Sequence, residues 1–135
     1  MYHAIFLEDL LDLINISKAY NNIIPEENVK KWIKVSKEMF RWLDIMSHPD
    51  GEISFFNDAA MGVASNSDSL KNYANRSGID TSELKISSQV YMPDSGYFRW
   101  EKYGATLIGD VGRIGPDYIP GHGYADALSF EFSIN

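Results

Sequence analysis

Just ahead of the carboxyl terminus the chain presents one imidazole, His122, between Gly121 and Gly123, with Pro120 stiffening the approach. Glycines on both sides let the backbone take positive φ and come close to a ligand or another segment. Loops fixed by a rigid sheet are where chemistry is commonly placed, and a His there could handle a proton. Asp110, Asp117 and Asp126 are the nearby acids. A glycoside hydrolase needs two carboxyl groups held across a sugar, but nothing in the spacing of these three selects a pair. The plain readings stand beside the chemical ones: a His between glycines is also an ordinary turn residue, and Asp126 an ordinary polar residue at a strand start.

The elements that must position this loop are a strand after it and helices well before it. In Leu128–Ile134, Leu128, Phe130, Phe132 and Ile134 fall on one side and Ser129, Glu131 and Ser133 on the other. That alternation predicts a half-buried β-strand with its apolar face inward. Upstream, Tyr97 to Glu101, a turn at Lys102-Tyr103-Gly104 and Ala105 to Asp110 read as a β-hairpin. Leu84–Ile86 and Val90-Tyr91 are short and ambiguous. The glycine- and proline-rich stretch from Gly112 to Gly123 reads as a long loop, of a length usually either functional or disordered. From His3 to about Tyr20, Ile5, Phe6, Leu10, Leu13, Ile14 and Ser17 predict a helix, its stripe widened by Leu7 and Leu11. A second helix begins at Pro25, with Val29, Trp32, Ile33, Met39, Phe40, Leu43 and Met46 as its stripe and its lysines on a solvated face. An Asn-Asn turn joins the two into an αα-hairpin. Pro49-Asp50-Gly51 ends the helical region, with His48 read as a turn residue. A short helix, Leu70 to Arg76, stops at Gly78. The reading is α+β: residues 1–80 helical and residues 81–135 built of antiparallel strands.

Composition narrows the function classes. The 135 residues carry a net charge of −7 and a pI near 4.8, which argues against nucleic acid as a partner. An anionic ligand would need a locally basic groove. With no cysteine, disulfides and thiolate metal sites are excluded. No run of apolar residues is long enough to span a membrane. Glu8, Asp9 and Asp12 interrupt the amino-terminal apolar stretch, so it does not read as a signal peptide, and localisation stays open.

Several of these stretches carry a resemblance. Y-I-P-G-H-G-Y-A-D-A-L-S-F-E-F-S, starting at Tyr118, resembles the P-G-H-G-H-A-D-x-L-S-F signature of the heparinase II/III-like polysaccharide lyases. S-G-Y-F-R-W-E from Ser95 and G-D-V-G-R-I-G-P-D from Gly109 are similar to the sequence leading into it. D-G-E-I-S-F-F-N-D-A-A-M-G from Asp50 resembles a segment late in the family's helical domain. M-Y-H-A-I-F-L-E-D-L-L from Met1 is similar to a segment inside its helical toroid. The resemblance implies the terminal helices of an (α/α) toroid followed by the first antiparallel strands of a β-sandwich, both incomplete. On this reading Met1 is an internal methionine of a longer ancestor, and the chain stops at Asn135 with its sheet unfinished.

The resemblance also implies a chemistry. Such enzymes cleave uronic-acid polysaccharides by β-elimination, removing the C5 proton beside a carboxylate that Asn or His donors must neutralise. Tyr2 matches the family's acid/base tyrosine and His122 the first His of the signature, so both are the implied catalytic residues. His3 lies beside Tyr2 and reads first as structural, with substrate contact as its other role. Tyr97 and Trp100 are candidate stacking platforms for saccharide. Tyr124 stands where the family commonly has a second, zinc-binding His. A phenol replaces imidazole poorly on zinc, so neither a metal nor another cofactor is expected. The family's carboxylate-neutralising segment precedes the position of Met1, and Asn57-Asp58 reads as a loop-ordering pair rather than its replacement. The expectation is an acidic-polysaccharide partner with the isolated chain inert. A non-catalytic sugar-binding module and a gene remnant are the alternatives.

Overall fold

The computed structural model describes residues 1–20, 23–57, 59–112 and 128–134. Three helices, α1 (Tyr2–Ala19), α2 (Glu26–Ile45) and α3 (Ser67–Arg76), precede four strands, β1 (Gln89–Met92), β2 (Tyr97–Lys102), β3 (Ala105–Asp110) and β4 (Ser129–Ile134). This is the expected α+β order. The strands form one antiparallel sheet in the order β1-β2-β3-β4.

The helical core gathers Leu7, Leu11 and Ile14 of α1, Phe40 and Leu43 of α2, Leu70 of α3 and Ile79 beyond it. The buried stripe of α1 is rotated from the expected one. Ala4, Leu7, Leu11, Ile14 and Ser17 face inward, whereas Phe6 and Leu13 are exposed. The residues taken as flank, Leu7 and Leu11, are the centre of the buried stripe, with small Ala4 and Ser17 at its ends. Buried Ser17 and Ser36 return their hydroxyls to carbonyls of their own helices, Ile14 O at 2.7 Å and Ile33 O at 2.8 Å, so neither is left unpaired.

Helix α3 begins three residues earlier than its apolar pattern suggests. The Asn66 side chain accepts from Ser69 N at 2.9 Å and fixes the start there. Its end follows the expected glycine stop. Gly78 takes φ +75°, Gly78 N donates to Asn75 O and Ile79 N donates to Ala74 O, both at 2.9 Å. Buried Ile79 then packs back on the helix, a Schellman arrangement with its hydrophobic contact.

The β2–β3 hairpin turns on Tyr103-Gly104, at φ +55° and +77°. Two consecutive left-handed residues make the type I′ turn that matches strand twist. Glycine takes that conformation freely, but a tyrosine does not.

One expectation is overturned. β4 alternates as predicted, but its apolar face is the outer one: Phe130 is 68% and Phe132 56% exposed, with Leu128 and Ile134 also outward. Ser129, Glu131 and Ser133 face the helices instead. The cause lies opposite them. The inner sheet face meets the carboxyl-terminal end of α2 and the following loop, which offer polar groups. His48 bonds Glu131 at 2.7 Å through Nε2 and Ser133 Oγ at 2.9 Å through Nδ1, and Phe55 N donates to the other Glu131 oxygen. His48 is thus more than the turn residue expected from Pro49-Asp50-Gly51. Around these contacts Ile45, Met46, Phe56 and Ile108 close a second apolar cluster.

Two substitutions test this description. His48→Ala should lower unfolding stability by about 1–2 kcal/mol, the cost of leaving buried polar partners unmade. Tyr103→Asn should raise it by about 1 kcal/mol, since asparagine tolerates the left-handed turn. Both are read as midpoint shifts in urea unfolding.

Candidate functional site

A pocket of about 90 Å³ opens where the helical segment meets the sheet, walled by Met1 and His3, Trp42, the Ile53–Asn57 loop and Tyr97. Each wall is set by its element. The first turn of α1 brings His3 over α2, and His3 Nε2 donates to Met39 O at 2.8 Å. That bond leaves Nδ1 as the free lone pair of the neutral ring. The imidazole lies on the Trp42 indole, ring centres 4.4 Å apart. Tyr97 is the first residue of β2 and points inward, edge-on to Trp42 at 6.4 Å and tilted against Phe56 at 5.5 Å. Asn57, at φ +54°, turns the loop so that its side-chain amide donates to Tyr97 Oη at 2.8 Å.

The electrostatics are mild. Burial holds the His3 pKa below its ordinary value, the Met39 carbonyl pulls it partly back, and the nearby terminal amine lowers it further. Burial likewise lowers the pKa of that amine. Among the described residues the pocket walls carry no carboxylate. They offer an imidazole, an amide and a phenol between aromatic faces. Aromatic walls with a few convergent polar groups suit a polar ring or its substituent. Among the described residues no cluster of His, Asp and Glu could hold a metal ion.

The sequence candidates fall differently about this pocket. His3 and Tyr97 line it together. Tyr2, beside His3 in the first turn of α1, is 59% exposed and does not line it. Tyr97 and Trp100 differ by three along β2, so they lie on opposite faces of the sheet and cannot flank one sugar ring. Trp100 stands on the outer face, in register with Leu107 and, one strand on, Phe132. His122 and Tyr124 lie outside the described residues, as do Asp117 and Asp126. Sequence reasoning did not single out Trp42, and it took Asn57 for loop ordering. The F-N-D turn was the signal for Asn57, but only the fold shows that its amide meets Tyr97.

Residues 86–135 match a family model described as Heparinase II/III-like, C-terminal. The matched stretch includes all four strands. No curated protein and no solved structure matches the chain.

His3 gives a pH test. Its folded pKa is depressed, so the unfolded state binds more protons once pH falls below the ordinary histidine value. The contribution of His3 to stability is therefore complete at neutral pH and is lost as pH falls from about 7 toward 5. A His3→Gln variant should show a flatter melting temperature over that interval than the parent. An unchanged slope would show that His3 is not the titrating group.

Proposed function

The chain is heparinase II/III-like over residues 86–135, and from that premise we propose that it is part of a polysaccharide lyase acting on uronic-acid-containing chains. The observation that carries this is the pocket of His3, Trp42, Asn57 and Tyr97, set at the seam between the helices and the heparinase-like sheet. In this reading Trp42 and Tyr97 offer apolar faces to a sugar. The Asn57 amide and His3 hold its polar substituents. Tyr2 and His122 carry the protons, and Tyr124 adds a substrate contact.

The reaction is a β-elimination. A base takes the C5 proton, the electron pair forms the C4–C5 double bond, and the C4–O4 bond breaks as an acid returns a proton to O4. The enolate that develops beside the C5 carboxylate needs charge-neutralising donors. The Asn57 amide gives one N–H to Tyr97, which leaves a single N–H for that charge. The isolated chain is accordingly proposed to bind uronate oligosaccharides without turning them over. Among the described residues no helix is long and apolar enough to cross a membrane, so the proposed encounter needs no membrane span from this segment.

Calorimetry with oligouronates, paired with ultraviolet detection of unsaturated uronate ends, tests the proposal. Binding without product is expected, and Tyr97→Ala should weaken it about tenfold, or ~1.4 kcal/mol. Equal binding of a neutral oligosaccharide, or none of any kind, would overturn the assignment of substrate class. Product lost on Tyr2→Phe would overturn the inert state while keeping the chemistry.

A further inference from the structure

We infer that the Lys31–Lys34 face of α2 is a docking groove that feeds an anionic glycan chain towards the His3–Trp42 pocket; the inference rests on the proposed polysaccharide reading and adds a site to it. A groove of about 490 Å³ runs along the exposed side of α2, lined by Lys31, Lys34, Glu38 and Met39 and ending at His3 and Trp42. Those last two side chains also wall the smaller pocket, so the two openings share one boundary. The pocket alone is smaller than the few hundred Å³ typical of a ligand site, whereas the groove lies within that range.

The charges along it are the second observation. Lys30, Lys31, Lys34, Lys37 and Arg41, all on α2, make up five of the chain's twelve Lys and Arg. Lys30 is paired with Glu26 at 2.8 Å, whereas Lys31 and Lys34 have no ion-pair partner among the described residues. Spaced three apart, they lie on the same side of the helix. Leaving two cations unpaired side by side on a chain of net charge −7 creates a local positive field against the global one. Glu38 opposes them in the same groove. The apolar floor comes from half-exposed Val35 and from Met39. Lysines over an apolar floor that leads to an indole fit a chain of carboxylated sugar rings: the ring faces pack and the carboxylates meet the ammonium groups.

The test is calorimetric titration of the full chain with a uronate hexasaccharide, a neutral hexasaccharide and a single-stranded oligonucleotide of matching charge. The Lys31→Gln/Lys34→Gln double variant should bind the uronate about tenfold more weakly, with a shallower salt dependence. Glu38→Gln should bind it two- to threefold more tightly, by roughly the strength of one exposed charge. Lys85→Gln, away from the groove, should bind as the parent does. Unchanged affinity in the double variant, or weaker binding on removing Glu38, would overturn the groove; if Tyr97→Ala still lost binding, the pocket reading would stand. An oligonucleotide bound equally well through the same lysines would also overturn it, as a surface for any polyanion. No uronate binding at all would remove both.

Discussion

Arg99 is the residue on which the junction depends. Its side chain is 4% exposed, and its guanidinium crosses from β2 into the end of α2. Nη1 donates to Ile45 O at 3.0 Å and to Ser47 O, while Nε and Nη2 hold Glu101 Oε1 at 3.0 and 2.5 Å. The last carbonyls of a helix have no partners within it and carry the negative end of its dipole. A cation there satisfies the carbonyls and is itself paired with Glu101. Burying a guanidinium is costly unless its nitrogens find partners, and here Nε, Nη1 and Nη2 all do, on two elements at once. The sheet is thereby placed against α2 at one register.

That placement determines what each face of the sheet can be. Val90, Arg99, Ile108 and Glu131 run across the four strands as one inward row, and Tyr97 stands in the row beside it, between Met92 and Asp110. With Arg99 seated, Tyr97 must approach Trp42 and Phe56, and the pocket forms between them. The His48 contacts to β4 repeat the arrangement at the far side of the sheet. Both fastenings are polar, and the sheet's phenylalanines, with Trp100, lie on the outer face. There Phe98 lies over Gly109, where even a Cβ would clash with its ring. The ring covers backbone that glycine leaves bare.

Local chemistry was legible in the sequence wherever one residue type decides a conformation. Gly78 ends α3 and Gly104 completes the hairpin turn, as read, and Pro49-Asp50-Gly51 turns the chain after α2, although α3 still follows it. Orientation was not. Alternation in β4 fixes that Phe130 and Phe132 share a face, but hydropathy alone assigned that face to the core. The buried polar pairing of Glu131 with His48, 83 residues away, reversed the assignment. The α1 stripe erred similarly, since Leu7 and Phe6 are equally apolar and only the packing partner distinguishes them. Of the candidate site, His3 and Tyr97 were legible and do meet at one pocket. Trp42 and Asn57 were not, because their roles arise from contacts across 40 or more residues. The family resemblance read from Ser95 onward agrees with the match over residues 86–135.

Amide hydrogen exchange on the parent and on Arg99→Met tests the central claim, that one guanidinium holds helix and sheet in a single arrangement. The account predicts that protection in the last turn of α2 and in β2 falls together in the variant, and that Trp42 loses its edge contact with Tyr97. A sheet that loosens while α2 keeps its full protection, or a variant exchanging as the parent does, would contradict it.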